Sequence, residues 1–65
     1  MVSLEPHVNM SARYSIDETC KLLGVHRHTL RIYTNDGKIR CGIRRGTARK
    51  FYLGSEIIRF WRAQI

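Results

Sequence analysis

Arg27, His28, Arg31 and Thr34 fall at i, i+1, i+4 and i+7, the spacing that gathers side chains on one side of a helix. Together they offer two guanidinium forks, an imidazole and a hydroxyl. Such a set forms hydrogen bonds to anions and to base edges. An arginine fork fits a phosphate or the O6/N7 edge of guanine, and one bidentate pair of the latter kind gives about 1–3 kcal/mol of discrimination. A second set, Arg44, Arg45, Arg49 and Lys50, crowds one short stretch with few acidic neighbours and suits phosphate contact. The whole chain leans the same way. Twelve Lys and Arg face five Asp and Glu, for a net charge of +7 on 65 residues, and nine of the twelve are arginine. That excess points to a polyanionic partner, with nucleic acid ahead of an acidic protein or a membrane surface.

Other chemistries find little footing. Asp17 and Glu18 are adjacent and diverge on a helix, and no Gly-rich phosphate loop or paired Ser and His is present, so no catalytic site and no enzyme are expected. A chain this short buries only about 60% of the surface its unfolded form exposes, which leaves no room for a substrate cleft with a lid. Cys20, His26, His28 and Cys41 lack metal-ligand spacing. No metal and no cofactor are therefore expected. Two cysteines behind a start, MVSLEPHVNM, that has neither a basic nor an apolar signal region point to reduced thiols and a cytoplasmic location. No apolar run approaches the roughly 20 residues of a membrane-spanning helix.

The elements that must position these side chains are legible in order. Ser15 and Glu18 form an S-x-x-E capping box. Ile16, Cys20 and Leu23 then mark one apolar face, and Gly24 fits the left-handed position that ends a helix over Ile16–Leu23. Val25 pins the turn. A second helix starts near His26 or Arg27, with His26 a poor N-cap. Leu30 and Tyr33 face inward with Val25, the cationic set faces outward, and Asn35-Asp36-Gly37 stops the helix. Two helices joined by a short turn containing Gly make the helix-turn-helix pattern. Lys38–Arg44 alternates as a strand, with Ile39, Cys41 and Ile43 on its inner side. Residues 45–48 turn the chain, and Arg49–Leu53 returns as a second strand. Phe51 and Leu53 are its expected inner face, with Tyr52 outward beside Lys50, unless a bulge reverses the register. Gly54 or Ser55 caps a last helix that buries Ile57, Ile58, Trp61 and Ile65, with Phe60 widening the stripe. Residues 1–13 have no period and read as a flexible arm. The expected fold is small α+β over residues 14–65: two N-terminal helices, a two-stranded antiparallel ribbon and a C-terminal helix.

Three motifs resemble one family. Thr29-Leu30-Arg31-Ile32-Tyr33 followed by Gly37-Lys38-Ile39 resembles the T-L-R-x-Y…G-x-[LI] signature of mercury-resistance regulator (MerR) type winged helix-turn-helix domains, and of the related excisionase-type domains. Residues 16–25, IDETCKLLGV, resemble their I-x-E-A-A-x-L-L-G-V opening. Tyr52 with Ser55-Glu56-Ile57 resembles their Y-x-x-S-D-I wing exit. The family's serine at the start of the second helix is His26 here. The resemblance implies that the second helix enters a major groove and that the ribbon is a wing on the flanking backbone. By the same resemblance Arg31 meets the backbone, beside the family aromatic Tyr33. The DNA-binding set is then Arg27, His28, Arg31, Tyr33 and Thr34 on the helix and Arg44, Arg45, Arg49 and Lys50 on the wing. Ending at Ile65, the chain is expected to stand alone, without an inducer pocket for a small molecule or a dimerising helix. That layout resembles an excisionase, a recombination directionality factor of a phage or conjugative element. Its implied partners are double-stranded DNA, neighbouring copies of itself and an integrase, at the bacterial nucleoid. A small MerR-like transcriptional regulator and a basic adaptor for an acidic protein are the other readings.

Overall fold

The first helix is closed at both ends by local hydrogen bonds, from side chains at its start and from backbone at its end. In the computed structural model, which describes residues 1–64, Ser15 Oγ accepts from the Glu18 amide at 3.2 Å and Glu18 Oε1 accepts from the Ser15 amide at 3.1 Å. These bonds from Ser15 hold the Glu18 carboxyl below the ordinary glutamate value. Strand β1 (Arg13–Ser15) leads into helix α1 (Ile16–Leu23). Gly24 ends α1 at φ 68°, ψ 40°. Its amide and that of Val25 both donate to the Cys20 carbonyl, at 2.8 and 3.0 Å.

Helix α2 (Arg27–Asn35) follows after the turn, and His26 at its N-cap is extended and makes no side-chain cap bond. Strand β2 is Gly42–Ile43, β3 is Lys50–Leu53 and α3 is Gly54–Ala63. The sheet has three antiparallel strands in the order β1-β3-β2. The reading of a two-stranded ribbon therefore missed β1, which is three residues long and too short to show alternation. Its Tyr14 lies opposite Tyr52 in β3, while Gly42 and Ile43 lie opposite Phe51 and Lys50. The architecture is a small α+β winged helix-turn-helix, with β2, β3 and the connecting turn as the wing.

The facing of β3 is the reverse of the expectation. Tyr52 is buried at 2% exposure, whereas Leu53 is exposed and Phe51 only half-buried. Tyr52 faces the helices, and Phe51 lies on the other side beneath the Arg13 guanidinium, 4.8 Å from its ring centroid. Strand period fixes that residues 51 and 53 share a face but not which face is covered. Ile43, expected inside, is also exposed. It pairs with Lys50 at the wing end of the sheet, where no helix covers it.

Leu23, Leu30, Ile39, Tyr52 and Ile57 form the core with Cys20, Phe60 and Trp61. Burial pushes the Cys20 thiol up. Buried Thr19 satisfies its hydroxyl on the Ser15 carbonyl at 2.8 Å. The expectation for Ile65 falls outside the described residues. Residues 1–12 lie along the domain. The Val2 amide donates to the Leu23 carbonyl at 2.8 Å, Trp61 Nε1 donates to the Val2 carbonyl at 3.1 Å, and Arg62 meets Glu5 at 2.8 Å. This segment also caps α3, which has no side-chain cap. The Gly54 and Ser55 amides donate to the carbonyls of Ala12 and Met10, both at 3.0 Å. So close an approach needs glycine: a Cβ on residue 54 would stand 2.1 Å from the Asn9 carbonyl oxygen.

Candidate nucleic-acid interface

Helix α2 sorts its residues by side. Leu30 is 1% exposed, and the Tyr33 ring packs on Phe60 of α3 with centroids 5.0 Å apart. Burying that side leaves Arg27, His28 and Arg31 in solvent. The wing presents Arg44, Arg45, Arg49 and Lys50, all exposed. Its tip is closed by backbone bonds, from the Arg44 amide to the Arg49 carbonyl at 2.9 Å and from the Ala48 amide to the Arg44 carbonyl at 2.8 Å.

A cleft of about 430 Å³ separates α2 from the wing. Arg27, His28, Arg31 and Lys50 line it together with Ile16, Leu30, Thr34 and Tyr52. A neighbouring recess brings Arg49 to the same side, with Arg27, Lys50 and Asp17. Cations separated by some twenty residues in sequence are thus gathered across one groove. Arg44 and Arg45 stay on the wing tip, outside both recesses.

Two members of the expected helix set have internal partners. Tyr33 stacks on Phe60 and carries the Lys38 ammonium 5.4 Å above its ring centroid. Thr34 donates its hydroxyl to the Leu30 carbonyl at 2.8 Å and lies 2.6 Å from the Tyr52 hydroxyl. Since the Thr34 proton is committed to Leu30, Tyr52 is the donor of that second bond. Burial, the first cause, holds the Tyr52 phenol above its ordinary value, against the lowering effect of Thr34. On a helical wheel Thr34 sits with the outward set, because the wheel does not show the strand packed beside the helix.

The electrostatics leave the groove positive. Among the described residues the ion pairs are Arg27–Asp17 at 3.3 Å, Arg59–Glu56 at 3.8 Å and Arg62–Glu5 at 2.8 Å. Arg31, Arg44, Arg45, Arg49 and Lys50 have no carboxylate partner among those residues. Asp17 was missed as a neighbour of this face, because it meets Arg27 only after the turn folds α2 back on α1. Both groups are largely exposed, and such pairs contribute about 0–1 kcal/mol, so Arg27 is free to exchange its partner for a phosphate.

A sequence profile of helix-turn-helix domains matches residues 13–65. The chain belongs to the helix-turn-helix domain family. No curated protein and no solved structure matches it. As a helix-turn-helix domain of the winged form it is a DNA-binding module, and α2 is the second helix of that motif. Among the described residues no cluster of His, Cys, Asp and Glu could hold a metal ion. Cys20 and Cys41 are free thiols, and among the described residues no helix is long and apolar enough to cross a membrane.

Proposed function

We propose that this helix-turn-helix domain is a sequence-specific, DNA-bending accessory protein of the excisionase type. It acts beside an integrase to promote excision of a mobile element. The observation that carries the reading is the single groove between α2 and the wing, which Arg27, His28, Arg31 and Lys50 line together. Arg27 and His28, at the N-terminal end of the helix, read base edges in a major groove, as recognition helices do. Arg31 takes the adjoining phosphate. Arg44, Arg45, Arg49 and Lys50 hold the backbone beyond. The family includes excisionase-like DNA-binding domains, and the motifs at residues 16–25, 29–39 and 52–57 resemble theirs. Bending a short site costs about 1–6 kcal/mol, and phosphates neutralised by the wing offset that cost through counterion release.

The test is a mobility-shift assay on circularly permuted fragments that carry the attachment region of the encoding element, with wild type and Arg31→Ala. Specific binding whose mobility depends on site position, and which the variant loses, supports the proposal. Specific binding without bending, at a promoter, supports a small transcriptional regulator instead. Binding with no preference over competitor DNA overturns both and directs the search to an acidic protein partner.

A further inference from the structure

The hydroxyls of Thr34 and Tyr52 join the two parts of the groove. Thr34 lies one turn beyond Arg31 and two beyond Arg27 on α2. Tyr52 is in β3, two residues after Lys50 and on the same face of the strand. Their oxygens are 2.6 Å apart, and Tyr52 is almost fully buried. From this geometry we infer that the Tyr52–Thr34 hydrogen bond sets the position of the wing relative to the recognition helix. Tyr52 and Thr34 are positioning residues for DNA binding and make no contact with DNA themselves. The inference rests on the reading of the groove as a DNA interface.

The physical argument is one of rigidity. The wing leaves the domain through β2, two residues long, and through β3. The pairing of β3 with β1 and the contacts from β3 to the helices therefore decide where Lys50 and Arg49 stand, and only the latter fix the strand against α2. Apolar packing of the tyrosine ring is non-directional and tolerates small sliding. A hydrogen bond loses strength steeply with misalignment. The Thr34 hydroxyl is itself fixed, because its proton lies on the Leu30 carbonyl inside α2. The pair thus ties the strand bearing the wing cations to the helix that carries Arg27 and Arg31. A duplex that must meet both at once is held best when their separation is preset, since less freedom is lost on binding. Tyr52 is almost fully buried, and both hydroxyl protons are committed inside the domain, that of Thr34 to Leu30 and that of Tyr52 to Thr34, so neither side chain has a proton to donate to DNA.

The test compares wild type, Tyr52→Phe, Thr34→Val and the double variant. Each is titrated with a duplex selected by the wild-type protein from a random-sequence pool, at several salt concentrations. Thermal melts and circular dichroism establish that each variant is folded. Each single variant is expected to bind about three- to tenfold more weakly, the equivalent of one hydrogen bond. The double variant is expected to bind no more weakly than either single one, because the two side chains act as a unit. The log–log salt slope should also become shallower by about 0.9 for each wing phosphate contact that is lost. Mere loss of stability lowers the active fraction and leaves that slope in place. If Thr34→Val weakens binding while Tyr52→Phe does not, Thr34 contacts the DNA and the inference is overturned. Additive losses, or an unchanged slope, also overturn it. Should Tyr52→Phe fail to fold, Thr34→Val with its slope decides alone. If the wild-type protein selects no duplex and binds none, the DNA reading of the groove fails, and this inference with it.

Discussion

Replacing Gly54 with alanine opposes two effects of different sign. Residue 54 is the first residue of α3 and is buried, and alanine is favoured over glycine in a helix by at most about 1 kcal/mol, the value for an exposed interior. Propensity alone therefore makes the variant more stable. Tertiary structure makes it less stable. The new Cβ would stand 2.1 Å from the Asn9 carbonyl oxygen and 2.8 Å from its carbon. Both atoms are backbone, so no side chain can swing away. Residues 9–12 must move off α3. That strain costs about 1–3 kcal/mol. The amides of Gly54 and Ser55 lose their acceptors on Ala12 and Met10, at about 0.5–1.5 kcal/mol each. The net loss is about 3 kcal/mol, against a total stability of about 3–10 kcal/mol for a chain of this length. At about 4–8 °C per kcal/mol, Tm falls by about 12–24 °C. Differential scanning calorimetry measures it. Gly46→Ala is the control, since a Cβ there meets nothing within 4 Å, and it is expected to shift stability by no more than about 1 kcal/mol. A Gly54→Ala melt at or above the wild-type Tm would refute the reasoning and would mean that residues 9–12 do not press on α3.

Three further outcomes follow from the same geometry. Glu18 is held below its ordinary value by its bonds with Ser15, so its stabilisation is complete above the ordinary glutamate range and disappears as pH falls through the lowered folded value. Melts of Glu18→Gln between pH 6 and about 3 should accordingly show a flatter acid limb than wild type, and parallel limbs would remove Glu18 from the account. His26 has extended N-cap geometry but no cap bond, so His26→Ser is expected to raise stability by about 0.5–2 kcal/mol in chemical denaturation. Lys50→Ala should reduce the log–log salt slope of DNA binding by about one and weaken all sequences alike, whereas Arg27→Ala should relax base preference at one position; fluorescence anisotropy over a salt series, with a panel of single-base variants of the site, separates the two.

The groove divides its work between two kinds of support. Helix α2 is held by its own buried side, through Leu30 and through Tyr33 against Phe60. The wing hangs from β3, which β1 flanks on the other side. A wing supported by a third strand and by Tyr52 presents Lys50 at a defined place. The tip residues Arg44 and Arg45, beyond that support, are placed by turn geometry alone.

What the sequence determined by itself was local. The capping box at Ser15 and Glu18 and the glycine that ends α1 are side-chain and backbone bonds within a few residues, so pattern suffices to find them. The cationic side of α2 follows from its period, because burying Leu30 and Tyr33 turns Arg27, His28 and Arg31 outward. Non-local pairing decided the rest. Tyr52 rather than Phe51 and Leu53 is buried because period two does not say which face the helices cover. Strand β1 exists because β3 has an edge to offer at residues 51–53, and three residues carry no detectable period. Thr34 is held internally because β3 brings a tyrosine hydroxyl to it from eighteen positions away. The contacts of residues 1–12 run largely through backbone carbonyls and amides, which every sequence possesses and which therefore leave no mark in side-chain pattern. Only the folded chain shows where they go.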